Sequence, residues 1–166
     1  AERALERHAY QEAARLFAVA LEALEQRPPV DPHRRVELLL PAGDALAKAG
    51  SMDEAKRTFL DACDLARAER MPEAFARAAL GYSGGPGWAR AGGDVRLVLV
   101  GLDRVAGVHV STVSRVLNDQ AAAGRITQDT DERIREVARR LGYRRNTIAR
   151  ALAQEPHVLL LDEPFT

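Results

Sequence analysis

Residues 106–119, with the sequence AGVHVSTVSRVLND, limit the possible folds more than any other stretch of the chain. The opening Ala-Gly-Val predicts a tight turn, because glycine adopts backbone conformations that other residues avoid. Val113, Val116 and Leu117 then recur at the three- and four-residue spacing of one helix face, and polar side chains occupy the other face. The stretch therefore predicts a turn followed by a short amphipathic helix, the second half of a helix-turn-helix.

A further helix is predicted after this motif. Thr127 is suited to its N-cap and Gly142 to its C-terminal end. Between them, Ile134, Val137 and Leu141 form an apolar stripe. Three short helices can share one small core in this way, with the first half of the middle helix left free to contact a partner.

The charges of the chain are unevenly distributed although they sum to zero. Residues 1–100 carry 14 basic and 15 acidic side chains, and residues 153–166 carry three acidic ones and no basic ones. Residues 101–152 carry 10 basic and 6 acidic side chains, a net charge of +4. The segment with the helix-turn-helix is therefore the one that attracts phosphate groups.

Residues 102–152 resemble the DNA-binding head of the lactose-repressor (LacI/GalR) family, through AGVHVSTVSRVLND and the later run ITQDTDERIREVARRLGYRRNTIARAL. The resemblance implies a recognition helix in the major groove, with Arg115 donating to a guanine and Val110 touching a thymine methyl. The side chains that the resemblance places on DNA are His109, Val110, Ser111, Thr112, Ser114, Arg115, Asn118, Asn146 and Leu152. The alternative is that the polar ones form an ordinary solvated helix face.

The end of this segment matches the hinge helix of the same family. The match is carried by residues 146–152, NTIARAL, and implies a helix that orders in the minor groove of DNA. Leu152 holds the position of the leucine that wedges between base pairs. Packing of Leu152 within its own helix is the alternative.

The first helix of the motif departs from the family pattern. Val98, Gly101 and Asp103 stand where a cap, a polar residue and a tightly packed alanine are expected. The run VRLVLVG at 95–101 is equally compatible with a strand. Asp103 is expected to be buried against the recognition helix without a partner, at a cost of about 1–3 kcal/mol.

The N-terminal half predicts four helices, at 2–26, from Asp31 to about Ala49, at 51–70 and at 72–80. Asp31 is suited to cap the second helix, with proline at its first position and Gly50 at its end. Because proline lacks an N–H, Pro41 inside this helix predicts a break near Leu40.

An internal repeat spans these helices, with the same side chains recurring 42 positions later. Its two copies are Ala13, Phe17 and Ala20, and Ala55, Phe59 and Ala62. The order small, aromatic, small resembles the tetratricopeptide repeat, and residues 1–93 resemble the helical-repeat region of large ATP-binding regulators of the LuxR type. Gly43 is expected where two helices touch closely. A plain helical bundle is the alternative.

The last sixteen residues, ALAQEPHVLLLDEPFT, resemble the Walker B strand of ABC-transporter ATPases. The resemblance implies that Asp162 holds Mg²⁺ through water and that Glu163 polarises the attacking water. A phosphate-binding loop is missing, since the glycine-rich run at 81–94 contains no lysine. We therefore expect no catalysis here, but a strand-like tail that either dangles or pairs at its edge with residues 96–100.

The sequence thus predicts a mainly α-helical protein with four parts: a tetratricopeptide-like domain at 1–80, a linker at 81–97, a helix-turn-helix head with hinge at 98–152 and a tail at 153–166. Its predicted function is sequence-specific DNA binding in transcription regulation, without enzymatic activity, cofactor or metal. Double-stranded DNA is the expected partner, and the N-terminal helices are expected to bind a protein or a second copy. The alternatives are a protein-interaction scaffold and an inactive ATPase fragment.

Two further features bear on the class of protein and on its location in the cell. Cys63 is the only cysteine, which excludes an internal disulfide, and its apolar neighbours predict a small buried residue rather than a nucleophile. The sequence contains no apolar run of about 18 residues and no signal peptide. A cytoplasmic protein that does not enter a membrane is therefore expected.

Overall fold

The computed structural model describes residues 2–84, 95–121 and 125–143, and the chain is mostly helical there. In these residues it forms seven helices and no strand: α1 (Glu2–Glu25), α2 (Pro32–Ala49), α3 (Met52–Ala68), α4 (Pro72–Tyr82), α5 (Val95–Ala106), α6 (Val110–Leu117) and α7 (Gln128–Arg140). The predicted mainly α-helical fold is confirmed. The predicted strand-like tail lies outside the described residues.

Local sequence signals set the ends of the N-terminal helices. The Asp31 carboxylate accepts a hydrogen bond from the His33 N–H at 2.9 Å, and proline occupies the first turn of α2. Gly50 ends α2 with a φ of 92°, a left-handed conformation that favours glycine. These predicted caps are confirmed, whereas Ser51 precedes α3 without a capping hydrogen bond from its side chain.

Consecutive helices of the N-terminal half pack side by side from α1 to α4. The ring of Phe59 in α3 lies between Gly43 of α2 and Gly81 of α4. A Cβ atom at position 43 would lie only 2.7 Å from Cε1 of this ring, so the ring occupies space that a larger residue would need. The prediction that Gly43 lies at a close helix contact is confirmed.

Helix α1 ends this stack and is covered on one side only. Leu5, Leu16 and Val19 are 71%, 54% and 50% exposed on its outer face. Phe17 is half-buried, whereas its repeat counterpart Phe59 is 2% exposed between two neighbouring helices. The two copies of the repeat therefore differ in burial because the first copy lacks a second neighbour among the described residues.

The expected break at Pro41 is wrong, because α2 continues through this residue to Ala49. Proline removes only the hydrogen bond that its own N–H would donate one turn back. Leu39, Leu40 and Ala42 around it are all buried in the core. Packing on both neighbouring helices thus keeps the segment helical despite the missing bond.

Helix α5 joins the N-terminal stack to the C-terminal helices, since it packs on α4 and also on α6 and α7. The strand alternative for residues 95–101 is therefore wrong. Val98 and Leu102 are 2% and 1% exposed, and Gly101 lies against the backbone of Ala76 in α4. One continuous hydrophobic core consequently runs from α2 to α7.

The burial of Cys63 is as predicted, since its side chain is 1% exposed and its Sγ lies 3.9 Å from the Phe75 carbonyl oxygen. Across the described residues, no single helix has the length and apolarity to cross a membrane. The pair α5 and α6 meets that criterion only when both helices are taken together, and it is bent by 104°.

Candidate nucleic-acid interface

A three-residue turn separates α5 from α6 and is closed by the backbone of Asp103. The Asp103 carbonyl oxygen accepts hydrogen bonds from the N–H groups of Gly107 and Val108, at 2.8 and 3.2 Å. Gly107 has a φ of 65°, which is the reason for glycine here, because a Cβ would meet no atom within 4 Å. The two helix axes turn by 104°, within the range of helix-turn-helix motifs.

His109 caps the N-terminus of α6. Its Nδ1 accepts a hydrogen bond from the Ser111 N–H at 3.2 Å and lies 2.8 Å from the Ser111 hydroxyl oxygen. Nδ1 therefore takes the place of the usual serine or aspartate oxygen at the helix end. The resemblance places His109 on DNA, and the structure adds this capping role.

The two faces of α6 differ as the sequence predicts. Val113 and Val116 are fully buried against α5 and α7. Four of the predicted DNA-contacting residues are exposed, namely His109, Ser111, Arg115 and Asn118, and three are half-buried, namely Val110, Thr112 and Ser114. Asn146, Leu152, Asp162 and Glu163 lie outside the described residues.

Arg115 is the positively charged residue on the exposed face of α6. Its side chain makes no hydrogen bond or ion pair within the described part of the chain. The first turn of α6 holds no acidic side chain, so the positive end of the helix dipole is not neutralised there. Asn118 donates to the Ser114 hydroxyl at 3.4 Å on the same side of the helix. This surface can accept anionic groups and donate hydrogen bonds to them.

Helix α7 packs against the buried face of α6. The Thr127 hydroxyl accepts from the Thr130 N–H at 3.4 Å, which confirms the predicted N-cap. Ile134 and Val137 face the shared core, as predicted, and Leu141 packs against it. The chain leaves the helix at Gly142, whose φ is 76°. These signals explain why the predicted third helix is present.

Arg135 makes contacts that the sequence did not predict. It binds the Asp131 carboxylate at 2.8 Å, the Asp119 carboxylate at 3.3 Å and the Val116 carbonyl oxygen at 3.2 Å. Only the pair with Asp131 could have been predicted, from its four-residue spacing on one helix. The other two contacts connect α7 to the C-terminal end of α6.

The expectation that Asp103 is buried without a partner is wrong, because its side chain is partly exposed. Partial burial raises the pKa of its carboxyl group, while the nearby charges of Arg104 and His109 act in the opposite direction. The cost of placing an acid in this helix is reduced by contact with water and by these two neighbours.

An ion pair joins this three-helix unit to the N-terminal stack. Arg140 of α7 donates to the Glu73 carboxylate of α4 at 2.7 Å. Both side chains are more than half exposed, so the pair helps to orient α7 relative to α4 but contributes little to stability. In the described residues, no group of three or more His, Cys, Asp or Glu side chains could hold a metal ion.

Comparison with known proteins finds a match for this part of the chain. Residues 103–146 match the family model of the bacterial regulatory proteins of the lacI family. The matched range covers 44 of the 166 residues and contains the turn, α6 and α7. No curated protein and no solved structure matches the chain. The likeness is therefore to a family of regulators and is carried by the helix-turn-helix segment.

Proposed function

We propose that this protein is a sequence-specific DNA-binding transcriptional regulator that inserts α6 into the major groove. The observation that carries the proposal is the 104° turn between α5 and α6, which leaves one polar face of α6 uncovered. The match of residues 103–146 to the lacI family supports the same function. A helix of this kind fits the major groove of B-form DNA.

In this proposal the residues of α6 divide into two roles. Arg115 donates two hydrogen bonds to a guanine, and Val110 and Ser111 contact the neighbouring base edges. Thr112, Ser114 and Asn118, with His109 at the cap, hold phosphates and so set the position of the helix. The absence of a carboxylate partner for Arg115 among the described residues supports its role, since its guanidinium needs no rearrangement to bind DNA.

We further propose that two copies of the chain pair through the outer face of α1. Helix-turn-helix proteins commonly bind palindromic sites as dimers, and a two-fold interface uses the same patch on both copies. Leu5, Leu16 and Val19 supply an exposed apolar stripe for this purpose. The helical-repeat part at 1–80 would then pair the copies, and the part at 98–152 would bind DNA.

A second candidate function is a protein-interaction scaffold without DNA binding. It is favoured by the same apolar stripe on α1 and by the side-by-side packing of α1 to α4, since stacked helical repeats present extended binding surfaces. In that case α1 binds a different protein, and the face of α6 remains solvated.

The experiment that separates these functions is selection from a pool of random DNA duplexes at two salt concentrations. The proposal predicts enrichment of one sequence by the wild-type protein and loss of that enrichment in Arg115→Ala. Arg34→Ala is the matched control, because Arg34 is an exposed arginine of α2, remote in sequence from the motif. The affinity should fall steeply with salt, since each phosphate contact releases counterions.

Two outcomes would contradict the proposal. Absence of duplex binding at the lower salt concentration would remove the DNA-binding function. Equal enrichment by wild type and Arg115→Ala would place recognition elsewhere. Sedimentation of Leu16→Glu tests the pairing separately, because a charge on the stripe should convert a dimer to a monomer while leaving the helix-turn-helix unit folded.

A further inference from the structure

A small open cleft lies where the N-terminal stack meets α5. Its volume is about 240 Å³, and it is lined by Ala66, Arg70, Met71, Pro72, Phe75 and Arg104. The residues come from the end of α3, the turn after it, the start of α4 and the last turn of α5. The cleft is therefore built by both parts of the molecule and lies apart from the polar face of α6.

The lining of the cleft is positively charged, because it includes Arg70 and Arg104. The guanidinium carbon atoms of Arg67 and Arg104 lie 5.2 and 5.4 Å from the centroid of the Phe75 ring. Arg67 has Asp64 at 3.8 Å, but Arg70 and Arg104 have no ion pair within the described part of the chain. The charges of Arg104 and Asp103 act on each other through space without a salt bridge. Two guanidinium groups that form no salt bridge within the described residues thus line one small space, and planar carboxylates match their geometry.

The floor of the cleft is apolar. Ala66 and Phe75 are each 1% exposed, and Met71 is half-buried beside them. Methionine adapts its shape to an apolar guest. The cleft is smaller than the usual sites for drug-sized molecules, which begin at about 300 Å³. A ligand that fits it has a body of about one ring.

The backbone of Arg70 adds a separate observation. Arg70 follows the end of α3 with a φ of 57°, where glycine is the favoured residue. Arginine at this position costs backbone energy that glycine would avoid. The left-handed turn places its side chain on the cleft, so the chain keeps a charged residue at a strained position beside an apolar floor.

From these features we propose that the cleft binds a small organic anion, namely an aromatic carboxylate of one ring. Arg70 and Arg104 bind the carboxylate, and the side chains of Met71 and Pro72 contact the ring. Because Arg104 belongs to α5 and Arg70 to the turn before α4, the bound anion links the two parts of the molecule. The inference does not depend on DNA binding.

The test is a titration of the full chain with benzoate as the probe, followed by NMR amide shifts and by the melting temperature. Benzoate is expected to shift amides of residues 66–75 and 104 and to raise the melting temperature. Arg70→Gly is the decisive variant, because glycine relieves the left-handed backbone and the protein should stay as stable as wild type or gain stability. Its affinity for benzoate should fall about tenfold, the size expected for one lost charge-assisted hydrogen bond.

Controls separate charge, ring and position. Arg104→Gln should weaken benzoate as Arg70→Gly does, and Arg57→Ala, an exposed arginine of α3 outside the cleft, should leave the affinity unchanged. Benzamide lacks the negative charge and acetate lacks the ring, so each should bind more weakly than benzoate. No benzoate shifts at tens of millimolar, unchanged affinity in both cleft variants, or benzamide binding as tightly as benzoate would each overturn the proposal.

Discussion

Gly101 of α5 lies against the backbone of Ala76 in α4. A Cβ atom at position 101 would be 2.8 Å from the Cα and 3.1 Å from the Cβ of Ala76. The sequence marks Gly101 as a departure from the expected first helix of the motif. The contact gives a physical reason for this departure: the missing side chain lets α5 approach α4, so that the helix-turn-helix unit and the N-terminal stack share one core.

Gly101→Ala is therefore expected to destabilise the protein. An alanine at an unobstructed helix position would gain about 1 kcal/mol over glycine, but here the new methyl group collides with main-chain atoms that cannot move aside. We expect a net loss of about 1–3 kcal/mol in the free energy of unfolding, measured by urea denaturation. A net gain would show that α4 and α5 do not pack this closely.

Arg135→Ala is expected to loosen α6 from α7, because it removes the contacts to Asp119 and to the Val116 carbonyl. The loss should be about 1 kcal/mol, which lowers the melting temperature by about 2–4 °C for a chain of this size. Arg133→Ala is the matched control, since within the described residues Arg133 forms an ion pair only with Asp129 of its own helix, at 3.8 Å. Equal effects of the two variants would mean that the contacts to α6 contribute nothing.

Asp103→Asn is expected to stabilise the protein at neutral pH. Burial raises the pKa of this carboxyl group above its ordinary value of 3.8, so the folded state binds the proton more tightly than the unfolded state. The charged form therefore costs stability above the folded-state pKa, and the cost disappears as the pH falls below 3.8.

Melting curves from pH 7 downward check this prediction. The variant should melt at a higher temperature than wild type at neutral pH, and the difference should vanish in acid. Asp61→Asn, which changes an exposed acid on α3, corrects for titration of the other carboxylates. A variant less stable than wild type at neutral pH would show instead that the Asp103 carboxylate is stabilised by its neighbours Arg104 and His109.

Cys63 is expected to resist alkylation in the folded protein. Burial raises the pKa of its thiol to about 12 from an ordinary value of 9.0, which lowers the thiolate fraction at pH 8 about a thousandfold. Labelling by iodoacetamide should therefore be slow in buffer and fast in concentrated urea, with a midpoint equal to that of unfolding. Rapid labelling in buffer would show that α3 opens locally.

Much of the fold could be predicted because its signals are local. The caps at Asp31 and Thr127, the left-handed glycines at 50, 107 and 142, and the spacing of Val113 and Val116 each depend on a few neighbouring residues. For the same reason, the sequence predicted which side of α6 is polar and which side is buried. The predictions at Asn146, Leu152, Asp162 and Glu163 stay predictions.

The chain by itself thus determined the turn at Gly107 and the amphipathic helix after it, because both depend on backbone preference and short-range periodicity. The tertiary structure decided whether residues 95–101 form a helix or a strand, whether Pro41 breaks α2, and which groups Arg135 contacts. Each of these depends on a contact between residues distant in sequence. The same holds for Glu73 and Arg140, which are 67 positions apart and meet only because α5 brings α7 to α4.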